Sequence, residues 1–412
     1  MSMSTGMIQD RPPPPRERGP VAWARRNLFR GPVNTVVSLI VGYLVVAAVV
    51  GLVRWALDSP AWTQVWDNLK LLAAYRYPSD LLWRPIFAVG TILALMGIGA
   101  GAARRRGEGE IAGGVFWWFF GLVAVIAVVA LLYWPSVRLP WTLAALAPLA
   151  ALWLGRTVPA AGRLLGWLWP LGLIFVVFLL VGVGGDGPFR VVRTVEWGGF
   201  LLTLVLASVG IVVSFPLGVA LALGRRSDLP VIKWFCIAVI ELVRGAPLIT
   251  WLFIASLMVP LLLNTSPDTV PALARALVAV TLFSAAYMAE NVRGGLQGVP
   301  GGQGEAARAL GLSGWQSMRL IVLPQALRSV IPAIVGQSIG LFKDTSLVFI
   351  VGLFDFFEIG RRVIPSQPAS LQYTGGVLLE LSVFMAIVYA FFAYRMSVAS
   401  RQLEKRLGVG ER

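Results

Sequence analysis

The feature that most constrains this chain is a series of long apolar runs with few or no charges. The first, Val33–Val53, has 21 residues and no charge, enough for a helix to cross about 30 Å of hydrocarbon at about 1.5 Å per residue. A helix is expected because a segment in lipid must satisfy its own backbone hydrogen bonds. The sequence therefore predicts an all-α integral membrane protein with about ten transmembrane helices. The runs are Val33–Val53, Pro85–Ala103, Ile111–Tyr133, Trp141–Leu154, Leu164–Val183, Gly198–Leu223, Phe235–Leu263, Val270–Ala289, Val330–Gly352 and Gly376–Tyr394.

The segment before the first run, residues 1–32, holds six arginines and the Pro12–Pro15 run. It lacks the apolar residues that would offset the entropy of ordering, so we expect a disordered basic cytoplasmic tail. A cleaved signal peptide is the alternative for Val33–Val53. Because the run exceeds the usual apolar core of about 7–15 residues in such peptides, an uncleaved span is favoured.

Composition and charge support a membrane protein. Hydrophobic residues make up 57% of the chain and charged residues 13%, which excludes a soluble globular enzyme. The net charge of +15 would suggest nucleic-acid binding in a soluble chain. With a cytoplasmic N-terminus, however, 23 basic residues fall on the cytoplasmic side and 10 on the other, as expected when Lys and Arg are retained inside. We therefore expect cytoplasmic N- and C-termini, the latter in a tail over residues 401–412, and no nucleic-acid partner.

Several kinds of chemistry lack the residues that they need. The chain has no histidine and one cysteine, Cys236, and none of its four lysines follows a glycine. These counts exclude His- or Cys-based metal sites, an internal disulfide and a phosphate-binding G-x-x-x-x-G-K-[ST] loop. We expect no catalytic residue, no metal and no cofactor bound by this chain, so any ATP and Mg²⁺ would belong to a partner.

Two segments between the runs are less regular. Arg54–Arg84 is rich in Trp and Tyr, which suit the headgroup region, so a loop on the membrane surface is expected. The run Trp141–Leu154 is short and contains Pro148, which makes it the least certain span.

The stretch between Glu290 and Val330 has no plain span but an amphipathic pattern. The residues predict a short helix over Glu305–Leu310, a turn at Gly311, and a second helix that ends or kinks at Pro324. Two such helices either rest on the bilayer surface or bury their apolar side chains in a groove of a partner. The pattern alone leaves both interpretations open.

The loop contains a specific string of residues at fixed spacings: Glu305, Ala306, Ala307, Gly311, Ile321, Leu323 and Pro324. This string resembles the EAA loop of ABC importer permeases, with every fixed position and spacing of that motif present. The resemblance implies a coupling helix that docks into a cleft on an ATPase subunit. It also implies that the small alanines allow close approach and that Gly311 sets the angle between the helices.

Three further strings narrow the resemblance. ELVRGAPL at 241–248, ENVRGG at 290–295 and FKDTSL at 342–347 look like permeases for polar amino acids, the histidine/glutamine/arginine group. The long N-terminal extension is most similar to the membrane subunit of the broad-specificity L-amino-acid importer of proteobacteria. The glutamate/glutamine/aspartate/asparagine system is similar enough that the sequence does not separate the two.

Charges inside apolar runs are costly and are usually paired or face water. Glu241 and Arg244 are three residues apart on one helix face and are expected to pair, and Gly245 and Pro247 should break that helix. They serve either as binding groups for a zwitterionic amino acid or as a structural ion pair near the cytoplasmic side. Glu290 is expected to anchor the following loop through Arg293.

A second polar cluster lies within the run Val330–Gly352. Lys343, Asp344, Thr345 and Ser346 either line a substrate path or stabilise the helix packing, since hydroxyl side chains bond back to the preceding turn.

The resemblance implies a MetI-like ABC importer permease core at 197–400, with the coupling loop at 294–328, preceded by a transmembrane extension at 33–196. It implies a subunit of an ATP-driven importer that moves L-amino acids across the bacterial inner membrane. The implied partners are two ATPase copies, a second related permease, a periplasmic amino-acid-binding protein and the lipid bilayer. The alternatives are a secondary transporter driven by an ion gradient and a membrane scaffold.

Overall fold

The computed structural model describes residues 23–24, 27–107, 109–133, 137–262, 264, 269–373, 376–406 and 408. Most of the predicted N-terminal tail and residues 407 and 409–412 of the C-terminal tail lie outside these ranges. The chain divides into two compact units, residues 1–62 and 63–412. Within the described residues the secondary structure is helical, with one isolated parallel bridge between Gly199 and Asp355.

The N-terminal unit contains helix α1, Pro32–Asp58, which begins with a proline in its first turn and covers the predicted run Val33–Val53. None of its side chains is buried.

The first half of the second unit covers the rest of the predicted extension. Its helices are α2 Trp62–Asp67, whose first residue belongs to the first unit, α3 Leu69–Ala74, α4 Trp83–Arg105, α5 Gly109–Tyr133, α6 Arg138–Thr157 and α7 Pro159–Val181. Helices α4 and α6 pack closely because glycines face the neighbouring backbone. A Cβ atom on Gly101 would lie 2.3 Å from the carbonyl oxygen of Leu152, and one on Gly155 would lie 2.3 Å from that of Ile98. Small residues allow this close approach. It strengthens the van der Waals packing that drives helix association in lipid, where the hydrophobic effect does not act between helices.

The second half of this unit is the core region. Its helices are α8 Gly199–Gly224, α9 Pro230–Arg244, α10 Leu248–Phe253, α11 Val259–Leu262, α12 Ala272–Gly298, α13 Gly301–Ala309, α14 Gly314–Ser317, α15 Leu323–Asp344, α16 Phe356–Glu358, α17 Pro368–Leu371 and α18 Leu378–Arg406. The 3-10 helix Thr345–Val351 follows α15, and π-helical turns occupy Ile254–Met258, Met318–Val322 and Ile359–Val363. Helix α18 continues to Arg406, past the predicted tail boundary at 401.

The expected count of about ten spans is not confirmed. Among the described residues, seven helices are long and apolar enough to cross a membrane, or eight if the bent pair Pro230–Arg244 and Leu248–Leu262 counts as one span. The predicted runs Ile111–Tyr133 and Trp141–Leu154 form helices α5 and α6, but neither is among those counted.

The aromatic segment Arg54–Arg84 is partly buried within the protein. Tyr75 and Tyr77 are buried in the second unit, and the Tyr77 hydroxyl donates to the carbonyl of Leu180 in α7 at 2.9 Å. The rings of Tyr75 and Phe354 lie 5.4 Å apart. Aromatic side chains with one polar group suit a protein interior as well as a headgroup region, so composition alone does not separate these two environments.

Buried Arg84 joins the extension to the chain segment that enters the core. Its side chain is inaccessible to solvent, and it donates to the carbonyl of Pro188 at 2.6 and 3.0 Å and to that of Arg190 at 2.8 Å. The Arg190 side chain in turn pairs with Asp80 at 2.7 Å. The start of α4 is therefore held by side-chain contacts to the segment that leads from α7 toward the core.

Candidate coupling loop and substrate path

The loop predicted to couple to a partner forms a helical hairpin. Helix α13 carries Glu305, Ala306 and Ala307, and it ends at Ala309. Gly311 then adopts a φ of +79°, a left-handed conformation that residues with a Cβ rarely adopt. Ser313 begins the next helix with a capping box, in which its side chain and that of Gln316 each accept from the other's backbone N–H.

The second helix of this hairpin does not end at Pro324, which corrects one of the two predicted alternatives, an end or a kink. Residues 314–344 are helical without interruption, and Met318–Val322 form a π-helical turn directly before Leu323 and Pro324. A proline lacks an N–H and its ring clashes with the carbonyl four residues earlier. The wider π turn changes that spacing, since the N–H of Leu323 bonds to the carbonyl of Met318.

The hairpin has one side packed on the core and one side uncovered. Ala307 is buried, and Leu323 packs against the core cluster that includes Ala326 and Leu296; Ile321 is partly buried. Large apolar side chains project from the other side, with Leu310 80% exposed, Trp315 64% and Leu320 62%. Glu305, Ala306, Gly311 and Pro324 are also exposed. Apolar side chains clustered at a surface are typical of a docking site.

A cluster of charged residues lies next to the helix that leads into the hairpin. The predicted pair of Glu241 with Arg244 is not among the described ion pairs. Instead, Arg225 Nη1 lies 2.9 Å from Glu241 Oε1, and Arg244 Nη1 lies 3.5 Å from Glu290 Oε2. The two partners of the expected pair were correctly placed on one helix, but charges from neighbouring helices, which one segment does not reveal, lie closer to them.

The helix break predicted at Gly245 and Pro247 is present. Helix α9 ends at Arg244 and α10 begins at Leu248, and the two segments meet at an angle of 103°. The indole N–H of Trp251 donates across the break to the carbonyl of Val243 at 3.0 Å. Further on, Arg275 donates to the carbonyl of Ser256 within the π-helical turn. The irregular backbone is thus supported by side chains of the protein, as required at membrane depth.

The cluster Lys343–Ser346 lies where α15 changes to a 3-10 helix. Lys343 is exposed, Asp344 and Ser346 are partly buried, and Thr345 is fully buried. The Thr345 hydroxyl donates to the carbonyl of Phe342 at 2.9 Å, which is the bond to the preceding turn that the stabilising alternative expects.

Asp355 is a buried carboxylate to which the sequence reasoning assigned no role. It accepts from the N–H groups of Glu358 at 3.0 Å and Phe357 at 3.2 Å, and from the Tyr389 hydroxyl at 3.2 Å. Burial raises the pKa of Asp355 to about 6, although the two N–H donors oppose this shift. The sequence could have indicated Asp355 only as a residue type that favours the N-cap position of a helix. Nearby, buried Glu358 pairs with Arg362 at 2.8 Å.

Three comparisons with known proteins bear on this arrangement. Residues 214–409 match the family described as binding-protein-dependent transport system inner membrane component. The glutamate/glutamine/aspartate/asparagine transport system permease protein BztC of Rhodobacter capsulatus is 36% identical over 98% of this chain and 97% of its own length. The inner membrane amino-acid ABC transporter permease protein YhdY of Escherichia coli K12 is 46% identical over 62% of this chain and 67% of its own.

Among solved structures, the chain is similar to a crystal structure of an amino acid ABC transporter with histidines. The identity is 28%, the TM-score is 0.45, and the match covers 50% of this chain and 92% of that one.

Proposed function

The chain belongs to the family of binding-protein-dependent transport system inner membrane components, and from this premise we propose that it is the membrane permease of an amino-acid importer. It forms part of the path by which L-amino acids pass from the periplasm to the cytoplasm, and the energy comes from ATP. The observation that carries this proposal is the similarity to BztC, which extends over nearly the full length of both chains, the N-terminal extension included.

The hairpin α13–α15 is the site that couples this chain to the ATPase. Leu310, Trp315 and Leu320 are its uncovered apolar side chains, and burying each against a partner contributes about 1.5–3 kcal/mol of transfer free energy. Within the motif, Ala307, Ile321 and Leu323 hold the hairpin on the core, whereas Glu305, Ala306, Gly311 and Pro324 are exposed and available to the partner. This division supports a docking role over a simple structural turn.

The substrate path runs past the cluster Lys343–Ser346. A zwitterionic amino acid needs an acceptor for its ammonium and donors for its carboxylate, and Asp344 and Lys343 supply these two kinds of group. Thr345 and Ser346 complete the cluster. Glu241 and Arg244 lie at the cytoplasmic end of the same path, where they also make the ion pairs with Arg225 and Glu290.

The orientation and the partners follow from the same premise. The excess of basic residues in one set of loops supports cytoplasmic N- and C-termini in the bacterial inner membrane. One core at 197–400 provides half of a path, so a second related permease completes it. Two ATPase subunits carry ATP and Mg²⁺, because this sequence has no phosphate-binding loop, and a periplasmic binding protein delivers the amino acid.

The test is reconstitution of the chain with its ATPase, second permease and binding protein in proteoliposomes. We expect uptake of radiolabelled glutamate or glutamine only when ATP is enclosed on the ATPase side. Uptake that persists without ATP and follows a proton or sodium gradient would overturn the proposal in favour of a secondary transporter. Absence of uptake together with failure to bind the ATPase would favour a scaffold.

A further inference from the structure

Glu290 lies where three parts of the core meet. It is on helix α12, eight residues before that helix ends at Gly298, and the hairpin helix α13 begins at Gly301. Its carboxylate faces guanidinium groups from three places: Arg293 on its own helix, Arg244 at the last residue of α9, and Arg225 just after α8. A single acid therefore contacts arginines from three separate parts of the core.

The distances show how the contacts are shared between the two carboxylate oxygens. Arg293 Nε donates to Oε1 and Oε2, each at 2.9 Å. Arg244 Nη1 lies 3.5 Å from Oε2, and Arg225 Nη1 lies 3.9 Å from the same atom. The side chains of Glu290 and Arg225 are 25% exposed and that of Arg244 is 30% exposed. At this exposure the pairs are partly shielded from solvent screening.

The charges of the group are unequal. Arg225, Arg244 and Arg293 face Glu290 and Glu241, so the group has one more positive than negative charge. Removing the Glu290 carboxylate would leave three cations close together with only Glu241, which is 55% exposed. The remaining cations would then repel one another with less compensation from nearby negative charge.

Arg244 connects this charged group to the broken helix. Arg244 is the residue at which α9 ends before the 103° bend to α10, and its guanidinium lies 5.4 Å from the centre of the Tyr287 ring on α12. Two contacts thus connect the helix that leads into the coupling hairpin with the broken helix. A displacement of the end of α12 changes both.

We propose that Glu290 is a positioning residue that transmits movement of the coupling hairpin to the broken helix at Gly245–Pro247. The inference rests on the proposed coupling function and adds the route by which the movement reaches the membrane-embedded segment. Its contacts with Arg244 and Arg225 differ in strength between the two states of the transporter, since only a differential contact biases such an equilibrium. The contact with Arg293, on the same helix, stays constant.

The experiment measures amino acid imported per ATP hydrolysed in the reconstituted full complex. It compares the wild type with Glu290→Gln, Arg244→Gln and the double variant. Asp80→Asn is the matched control, because it removes an acid from the exposed Asp80–Arg190 pair far along the chain from the hairpin. We expect Glu290→Gln to bind the ATPase and hydrolyse ATP while import per ATP falls at least tenfold. The double variant should lose no more than the larger single loss, and the control should match the wild type.

Each other outcome decides against the inference. An unchanged import ratio in Glu290→Gln would show that Glu290 takes no part in the coupling. Losses that multiply in the double variant would show that Glu290 and Arg244 act independently. If Glu290→Gln does not assemble, Arg244→Gln decides alone, because it leaves Glu290 paired with Arg293; an unchanged ratio there overturns the inference. If the wild type itself does not bind the ATPase, the proposed function fails instead.

Discussion

The guanidinium of Arg395 lies over the ring of Trp118, 4.0 Å from its centre. Arg395 is on α18, the last helix of the core, and Trp118 is on α5 of the extension. Phe119 and Phe392, one turn or less away on the same two helices, lie 6.0 Å apart. The extension is therefore attached to the core at both the Tyr75–Phe354 contact and this second, separate contact.

We expect this cation–π contact to contribute about 0.5–2 kcal/mol to stability. Trp118→Leu and Arg395→Gln should each lower the thermal unfolding midpoint in detergent, and the double variant should lose less than the two single losses combined. Trp167→Leu, at a tryptophan that is 73% exposed, is the control and should change the midpoint little. Additive losses would contradict the contact.

The space around two glycines predicts opposite effects of Gly→Ala substitutions at Gly101, in the packing of α4 on α6, and at Gly166 on α7. At Gly101 a Cβ atom would lie 2.3 Å from the Leu152 carbonyl oxygen, whereas at Gly166 no atom lies within 4 Å. Gly101→Ala should force the helices apart and cost about 1–3 kcal/mol. Gly166→Ala should stabilise α7 by up to about 1 kcal/mol through helix propensity. Thermal unfolding of the two variants in parallel provides the measurement, and a shared direction of change would refute the close packing.

The left-handed backbone at Gly311 predicts that the coupling hairpin depends on glycine there. Gly311→Ala has free space for its Cβ, so its cost of about 1–2 kcal/mol comes from backbone conformation alone. We expect weaker binding of the ATPase in pull-down titrations and lower ATP-driven uptake. Gly314→Ala, three residues later and also without close neighbours, should bind as the wild type does. If the wild type, Gly311→Ala and Gly314→Ala bind the ATPase with equal affinity, the turn at Gly311 has no role in the coupling.

Asp355 predicts a pH dependence of stability. Its pKa in the folded state is about 6, above the value of about 3.9 in an unfolded chain. Between these values the folded state holds a proton that the unfolded state has lost, so the free energy of unfolding falls as the pH rises through this window. The loss reaches about 3 kcal/mol above pH 6.

The variant Asp355→Asn keeps an acceptor for the helix N-cap but does not titrate. Unfolding midpoints measured from pH 4 to 7.5 should therefore fall less steeply with rising pH than those of the wild type. Asp228→Asn, at an exposed carboxylate, provides the matched control with the wild-type slope. Parallel profiles for Asp355→Asn and the wild type would exclude Asp355 as the titrating group.

Asp344 tests the proposed substrate path. If its carboxylate accepts the substrate ammonium, Asp344→Asn should raise the KM for uptake about tenfold, the loss expected when a charge-assisted hydrogen bond of about 1.5–3 kcal/mol is weakened. The measurement is uptake against substrate concentration at matched amounts of protein in the membrane. A lower amount of folded protein with an unchanged KM would assign Asp344 to helix packing instead.

Features determined by local sequence were predicted well. The apolar run Val33–Val53 lies within one helix, and the break at Gly245 and Pro247 is present because those residues act on their own backbone. The exchange of partners around Glu241 and Arg244 was not predictable, because their closest opposite charges, Arg225 and Glu290, come from other parts of the chain. The predicted helix end at Pro324 was wrong for a local reason, since the π turn Met318–Val322 allows the helix to continue through the proline.

The candidate site divides in the same way. The hairpin motif and its glycine are contiguous in sequence, and their geometry follows from short-range rules. The buried environment of Asp355 depends on Tyr389, 34 residues away, and on the depth of packing around both. A pattern search along one chain detects the N-cap but not the burial that raises its pKa.

The uninterrupted helix from Gly314 to Asp344 connects the two ends of the proposed mechanism. Its 31 residues extend over about 46 Å at about 1.5 Å each, and the exposed Trp315 and the polar Lys343 lie next to its two ends. A continuous helix transmits a movement at one end to the other end. A tilt of about 10° applied at the hairpin would shift the opposite end by about 8 Å over that length, more than the width of an amino acid backbone. A small movement of the ATPase subunits is thus geometrically sufficient to open or close the substrate path.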